Sequence, residues 1–181
     1  MPTELPRRFF HLAGLFLLLV PYYFSETETR IIFLALALGE GLLEVFRLCS
    51  PKIGRLWLRW FAPLLRPGEE KKFSGSFFYL WGVALSFLFF DKSCAVSGLL
   101  VLAIADPVAG FFHARSQRTF LKKTLTGTLA FFFLSWVLLG VFWGPWKALG
   151  AALSAAILEN LSPLNDNFLL PLLVSAFLCL V

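Results

Sequence analysis

The chain has 181 residues, of which 59% are hydrophobic, 17% are aromatic and only 15% are charged, and its net charge is +5. A soluble domain of this length is nearer half apolar and a quarter charged, so this much apolar surface has no place inside a small soluble core. The composition therefore excludes an ordinary soluble domain and predicts a protein whose solvent is largely lipid.

Seven apolar runs follow one another along the chain, some of them short for a bilayer. Arg7 and Arg8 precede the first run and imitate a signal peptide, but no small-residue cleavage pattern follows them. The runs cover residues 9–24, 31–49, 75–90, 95–112, 125–143, 146–158 and 168–181. We therefore predict an all-α polytopic membrane protein, one domain over residues 1–181 with about seven transmembrane helices.

Between the second and third runs, residues 51–66 are predicted to form an amphipathic helix. Ile53, Trp57 and Trp60 follow helical spacing, and the basic residues fall largely elsewhere around the turn. Ser50 and Pro51 form a plausible cap and first-turn pair. We expect this helix to lie on the cytoplasmic surface, either as an anchor or as a gate for a lipid substrate.

The basic residues predict the orientation of the chain. With the N-terminus in the cytoplasm, the inside segments carry 13 of the 16 Lys and Arg residues. Only Arg30, Lys92 and Lys147 remain outside. This asymmetry is the positive-inside pattern, and it favours an odd number of spans with the C-terminus outside. A cell membrane, inner or plasma, is the expected location.

The cysteines are scattered through apolar runs at Cys49, Cys94 and Cys179, with no ligand spacing. Cysteine in such a setting is usually a small hydrophobic residue. We therefore predict neither a disulfide framework nor a zinc site.

Ionisable residues inside apolar runs or at their ends are costly and point to function. They are His11, Glu40, Glu44, Asp106, Glu159 and Asp166. Most of these positions lie toward the cytoplasmic ends of their helices, and Glu44 and Asp106 reach a similar depth along descending spans. The set therefore predicts one charged layer in the cytoplasmic third of the bilayer. Carboxylates bordered by bases suit a magnesium-bound polyphosphate.

Structural explanations stay open for several of these residues. Asp166 can simply cap the last helix, and Glu159 can be solvated at a helix end. Glu40 can pair within the bundle, and Arg7 and Arg8 can serve only topology. Asp106 is the hardest to explain in this way, because it lies between apolar residues.

A basic turn precedes the fifth run. Lys122 and Lys123 are followed by Thr124, Gly127 and Thr128 at the start of a predicted helix. Backbone amides at such a start face outward and favour anions, and Gly127 allows a close approach. The sequence lacks a Walker-type phosphate loop, so this local pattern alone is weak.

Three blocks together give a specific resemblance. The run from Arg7 to His11 resembles R-[KR]-x-x-H. The runs from Asp106 to Gly110 and from Lys122 to Thr128 resemble G-D-P-x-A-G and K-[KR]-T-x-E-G-[ST], with Ala105 and Thr126 as departures. The run from Glu159 to Asn167, with Pro171, resembles E…D-N-x-x-x-P. In order and spacing these blocks resemble the CTP-dependent lipid-alcohol kinases, a family that includes dolichol, phytol and diacylglycerol kinases.

The resemblance implies Mg²⁺-dependent transfer of the CTP γ-phosphoryl group to a lipid hydroxyl at the cytoplasmic face. The catalytic residues it implies are Asp106, Asp166 and Glu44. The implied metal ligands are Asp106, Asp166, Asn167 and Glu159. The implied CTP-binding residues are Arg7, Arg8, His11, Gly110, Lys122, Lys123, Thr124, Gly127, Thr128 and Asn167. Which carboxylate is a metal ligand and which is a base stays open.

Two other functions also fit the sequence. A cytidylyltransferase that makes a CDP-lipid needs a similar site, and it releases pyrophosphate instead of CDP. A small ion-coupled transporter predicts acidic residues across the whole membrane depth, whereas here they gather on one side. The expected partners are the bilayer, a lipid alcohol and CTP, without nucleic acid. The sequence leaves the identity of the alcohol and the oligomeric state open.

Overall fold

Helices make up most of the protein in its computed structural model, which describes residues 4–66, 68–113, 119–120, 123–162 and 164–181. Each of the seven apolar runs coincides with helical structure. The helices are α1 (Glu4–Ala13), α2 (Leu19–Tyr23), α3 (Glu26–Cys49), α4 (Pro51–Phe61), α5 (Gly75–Phe89), α6 (Lys92–Leu100), α7 (Asp106–His113), α8 (Leu125–Trp143), α9 (Pro145–Leu161) and α10 (Asp166–Leu180). The chain is therefore all-α in class, as predicted, with one short hairpin of β1 (Thr119–Phe120) and β2 (Lys123–Thr124).

Two of the apolar runs contain irregular helix. A 3-10 segment, Gly14–Leu18, joins α1 to α2. A π-helical turn, Val101–Ala105, joins α6 to α7 just before Asp106. Pro107 removes the N–H that would bond the carbonyl four residues earlier, and the wider turn falls where this bond is missing. The irregularity places Asp106 at the start of α7.

The helix on residues 51–66 is shorter than predicted. Helix α4 ends at Phe61, a 3-10 turn Ala62–Leu64 follows, and the backbone is extended at Leu65. Its apolar side chains Ile53, Leu56 and Trp60 are exposed. Basic side chains on the same helix are exposed too, which is the pattern of an interfacial helix.

Helix α10 lies centrally and packs against α5, α6 and α9, while α8 packs against α9 and α7. Glycines allow two close approaches to the backbone of α10. A Cβ atom on Gly82 would lie 2.6 Å from the carbonyl oxygen of Phe168, and one on Gly98 would lie 2.5 Å from that of Pro171. Small residues at such contacts bring backbones together, as is common between membrane helices.

We expect Gly98→Ala to destabilise the protein by about 1–3 kcal/mol, because the new methyl group meets both the Pro171 carbonyl and the Ser175 hydroxyl of α10. The matched control is Gly140→Ala on α8, where an added Cβ has no atom within 4 Å. Thermal unfolding of the detergent-solubilised protein compares the two. Equal midpoints for both variants would contradict the close approach of α6 to α10.

The outer surface is strongly apolar, as expected for a membrane protein. Large side chains such as Phe16, Phe46 and Val141 are exposed along the helices. Within the described residues, two helical runs are long and apolar enough to cross a bilayer, Lys92–Phe112 and Leu125–Trp143. The other apolar helices are shorter or, like α3, carry several charges.

The prediction that the cysteines form no disulfide is wrong for one pair. Cys94 on α6 and Cys179 on α10 are bonded, with Cα atoms 5.9 Å apart, although 85 residues separate them. The reason is that α6 and α10 pack side by side, which the spacing of the cysteines does not reveal. Cys49 is a free, exposed thiol, and the bonded pair ties the ends of α6 and α10 that lie away from Asp106 and Asp166.

Candidate active site

An ammonium group bridges two carboxylates where three elements meet. Nζ of Lys123, on β2, donates to Oε1 of Glu159 at 2.6 Å and to Oδ2 of Asp166 at 2.9 Å. Glu159 lies in the last turn of α9, and Asp166 is the first residue of α10. The loop between α9 and α10 is short, so the two carboxylates face the same end of the bundle. The sequence-predicted residues Lys123, Glu159 and Asp166 therefore share one site.

Asp106 and His11 form a second pair in the same region. Oδ2 of Asp106 lies 3.6 Å from Nδ1 of His11, and the His11 side chain is buried. The His11 ring also contacts the edge of Tyr79, with centroids 5.3 Å apart. Helix α1 thus brings the histidine of the first motif to the aspartate of the second.

The charges of the two pairs act on one another. Burial lowers the pKa of Lys123, but the carboxylates of Asp166, Asp106 and Glu159 raise it more, so that the pKa of this ammonium lies above its usual value. Lys123 is therefore charged at neutral pH. Because the Asp106 carboxylate is among the groups that raise the pKa of Lys123, the His11–Asp106 pair lies within electrostatic range of the Lys123 ammonium.

Arg66 also reaches this cluster, which the sequence did not predict. One of its terminal nitrogens lies 3.4 Å from Oδ1 of Asp166, 100 residues away along the chain. Burial lowers the pKa of this guanidinium, but Asp166, Asp106 and Glu69 outweigh that effect and raise it. Asp166 is thus flanked by two cations, Lys123 and Arg66.

The basic turn that precedes α8 is tied into the bundle. The Thr124 side chain caps α8 and accepts a hydrogen bond from the Gly127 amide at 3.3 Å. The Asn160 side-chain amide donates to the Thr128 hydroxyl at 3.0 Å. These bonds fix the start of α8 against α9, so that Thr124, Gly127 and Thr128 hold the turn that carries Lys123.

Asn167 and Asp166 provide oxygen atoms for a cation. The Asn167 side chain is buried and donates to the carbonyl of Gly75 at 3.3 Å. Its own side-chain oxygen is buried and, among the described residues, accepts no hydrogen bond. A carbonyl oxygen of this kind, next in the chain to a carboxylate, fits the donor set that Mg²⁺ prefers.

Three carboxylate, histidine or cysteine side chains do not converge on a metal position anywhere in the described part of the chain. Protein sites for Mg²⁺ commonly supply only one or two carboxylates and leave the other positions to substrate phosphates and water. The residues present therefore fit a metal that arrives with a nucleotide, rather than one held in a closed protein cage.

Glu44 has a different environment from the other predicted acids. Its two oxygens accept from Arg47, at 3.0 and 2.7 Å, and one of them also accepts from the Ser74 amide at 3.0 Å. Both side chains of the ion pair are 1% exposed. These bonds favour a structural role for Glu44. Its neighbour Glu40 accepts from the Ser76 hydroxyl at 2.6 Å, in keeping with a pairing role.

The remaining predicted residues divide into two groups. Gly110 lies on α7, one turn after Asp106. Lys122 lies outside the described residues, and so do the side chains of Arg7 and Arg8. Arg66 and Asn160 were missed because each contacts a partner far away in sequence, and Arg47 was missed although its partner Glu44 is three residues away. The only available signal for Arg47 was an arginine three residues after Glu44, on the same helical face.

Comparison with known proteins shows that this sequence is similar to several lipid kinases. A CTP-dependent diacylglycerol kinase 1 of Eremothecium gossypii is 31% identical over 78% of this chain and 46% of its own length. The proteins of the same name from Saccharomyces cerevisiae and Schizosaccharomyces pombe are each 26% identical, over 97% and 76% of this chain and 72% and 74% of their own lengths. This chain thus spans less than half of the first relative. No protein-family model and no solved structure matches it.

The fold and site define a helical membrane protein with a cluster of acidic and basic side chains at one end of its bundle. The similarity to these three relatives, at 26–31% identity over most of the chain, supports the CTP-dependent lipid kinase family.

Proposed function

We propose that this protein transfers the γ-phosphoryl group of CTP to the hydroxyl of diacylglycerol or of a related membrane lipid alcohol. The observation that carries the proposal is the Lys123 bridge between Glu159 and Asp166, with Asp106 and His11 alongside. Cations next to carboxylates match the needs of a metal-bound polyphosphate. Diacylglycerol comes first because the relatives' name contains it.

In the proposed reaction the lipid hydroxyl oxygen bonds to the γ-phosphorus of CTP, the bond from that phosphorus to the bridging oxygen breaks, and CDP leaves. The hydroxyl proton passes to a carboxylate oxygen of Asp106, which His11 orients. Lys123 turns from its carboxylates to the phosphates. Catalysis then comes from positioning and charge neutralisation, as in phosphoryl transfer generally.

Mg²⁺ would supply charge neutralisation on the phosphates when bound. Asp166 and Asn167 would hold it, since the Asn167 oxygen is buried without a hydrogen-bond donor among the described residues. Glu159 would help to hold the metal or keep Lys123 in place. Metal dependence is part of the proposal and is tested with it.

We also propose that all seven apolar runs span the membrane, with the N-terminus and the active site at the cytoplasmic face. Each run is helical, and Asp106 and Asp166 lie at helix starts on one side of the bundle. The bonded pair of Cys94 and Cys179 then lies at the outer side, where oxidation is favoured. A lipid alcohol would enter between helices, with its hydroxyl at the level of Asp106.

The test uses purified full chain in vesicles that contain diacylglycerol, a polyprenol or a phytol-like alcohol, supplied with γ-labelled CTP and Mg²⁺. We expect label in a phosphorylated lipid and one CDP per product, with chelation of Mg²⁺ lowering the yield. Vesicles with phosphatidate form the second arm. Pyrophosphate and a CDP-lipid from that arm would favour a cytidylyltransferase. A complete absence of phosphorylated lipid from every alcohol would disprove the kinase proposal.

A further inference from the structure

Arg66 lies on the connector between α4 and α5, at the rim of the active site. Its guanidinium contacts Oδ1 of Asp166, whereas Lys123 contacts Oδ2 of the same carboxylate, and the Arg66 side chain is 34% exposed. The Arg66 side chain is therefore partly accessible and also contacts the acidic cluster. A group in this position is accessible to a charged, water-borne substrate.

The backbone that carries Arg66 is held from inside the protein. Oε2 of Glu69 accepts from the Arg66 amide at 2.8 Å. The carbonyls of Glu69 and Glu70 accept from the buried Arg47 guanidinium at 3.3 and 3.0 Å, and the carbonyl of Lys72 accepts from it as well. Arg47 is itself paired with Glu44. A chain of bonds thus leads from α3 to Arg66 and fixes where its side chain starts.

The contact of Arg66 with Asp166 is looser than that of Lys123. The Arg66 distance is 3.4 Å, against 2.9 Å for Lys123 to the same carboxylate. Only one of the guanidinium nitrogens makes it. Arginine binds phosphate with two parallel hydrogen bonds, which is a stronger arrangement than a single long contact. An arriving phosphate would therefore compete well for Arg66.

We propose that Arg66 is a second protein cation of the polyphosphate site, beside Lys123, and that its guanidinium turns from Asp166 to a phosphate of the bound nucleoside triphosphate. This rests on the proposed function for the identity of the substrate. The connector places the Arg66 charge at one oxygen of the Asp166 carboxylate while Lys123 contacts the other, so that both cations can reach the same phosphates. Arg47 is a positioning residue for this connector.

The test compares Arg66→Gln, Arg66→Lys and Arg59→Gln in the full chain, reconstituted with diacylglycerol. Arg59 is the matched control, because it is an exposed arginine on α4 within the same basic segment. Two quantities are measured for each variant, the affinity for labelled CTP with Mg²⁺ at equilibrium and the initial rate of lipid phosphorylation. Thermal unfolding verifies that each variant is folded.

We expect Arg66→Gln to weaken CTP binding and kcat/KM by about 10- to 100-fold, the effect of a charge-assisted hydrogen bond of about 1.5–3 kcal/mol. Arg66→Lys should recover part of both, because it retains the charge without the paired geometry. Arg59→Gln should stay within about two-fold of the unaltered protein, since an exposed charge away from the site acts only through the general field.

Equal losses in Arg66→Gln and Arg59→Gln would overturn the inference, as would unchanged CTP affinity in Arg66→Gln. Binding of CTP that depends on Arg66, without any lipid product, would instead uphold the subsite and reject the kinase proposal. A protein that phosphorylates lipid normally with Arg66→Gln would reject the subsite and leave the kinase proposal standing.

Discussion

Asp106→Asn is expected to lower kcat for lipid phosphorylation by about 10³-fold while the protein remains folded. The change removes the carboxylate that would take the hydroxyl proton, and a positioned general base contributes about 10²–10⁴-fold. Asparagine has nearly the same shape, so packing at the start of α7 is kept. The measurement is the initial rate of product formation at saturating CTP and diacylglycerol, with CTP affinity measured separately.

Asp91→Asn is the matched control for this substitution. Asp91 is an exposed aspartate just before α6, at the end of the helix away from Asp106. Asp91→Asn removes the same charge by the same substitution. It should leave kcat within about two-fold of the unaltered protein, because Asp91 is far from the cluster. A rate for Asp106→Asn close to that of Asp91→Asn would show that Asp106 is not the base.

The affinity measurement separates two roles for Asp106. A base affects the chemical step, so kcat falls while CTP binding is little changed. A metal ligand affects both, since the metal and the triphosphate bind together. A loss of CTP affinity in parallel with kcat would therefore indicate that Asp106 is a metal ligand and that another group is the general base.

The helices could be predicted from the sequence because hydropathy is local information. Residues 125–143 were predicted and observed as the same helix, since Thr124 caps it and Gly144 follows its last residue. The predicted helix boundaries were wrong where the backbone is irregular. The predicted helix on residues 51–66 gives way after Phe61, where the 3-10 turn begins.

The site was only partly predictable, for a physical reason. Motif residues such as Asp106, Lys123 and Asp166 stand out because charge is rare in apolar runs. Arg66 looked like one more surface cation, because its contact with Asp166 depends on which helices are neighbours. The bond between Cys94 and Cys179 was missed for the same reason. Contacts between residues on helices that are distant in sequence cannot be predicted from the local spacing of residues.

Arg47→Met is expected to destabilise the protein by about 3–5 kcal/mol, because it leaves the Glu44 carboxylate buried without its counter-charge. The substitution also removes the donor to the carbonyls of Glu69, Glu70 and Lys72. Methionine fills a similar volume, so the loss reports charge and hydrogen bonding rather than a cavity. The thermal unfolding midpoint in detergent is the measurement, with the exposed Arg55→Met as the control.

The double variant Glu44→Leu/Arg47→Met tests whether the cost comes from the unpaired charge. Replacing both partners by apolar groups removes the uncompensated carboxylate, so the double variant should be more stable than Arg47→Met alone. A double variant as unstable as the sum of the single changes would show that the two side chains act independently. An Arg47→Met midpoint equal to that of Arg55→Met would refute the buried pair.

The same pair decides between two roles for Glu44. A catalytic Glu44 predicts that Glu44→Gln lowers kcat and leaves stability unchanged. The bonds to Arg47 and to the Ser74 amide predict instead that Glu44→Gln lowers the stability of the protein. CTP affinity should also fall, because the connector that carries Arg66 loses its support. Because Arg66 depends on that connector, loss of CTP affinity in Glu44→Gln should be absent when Arg66 is already glutamine. That non-additivity would show that Glu44 acts on the active site through Arg47 and Arg66, rather than by touching the substrate.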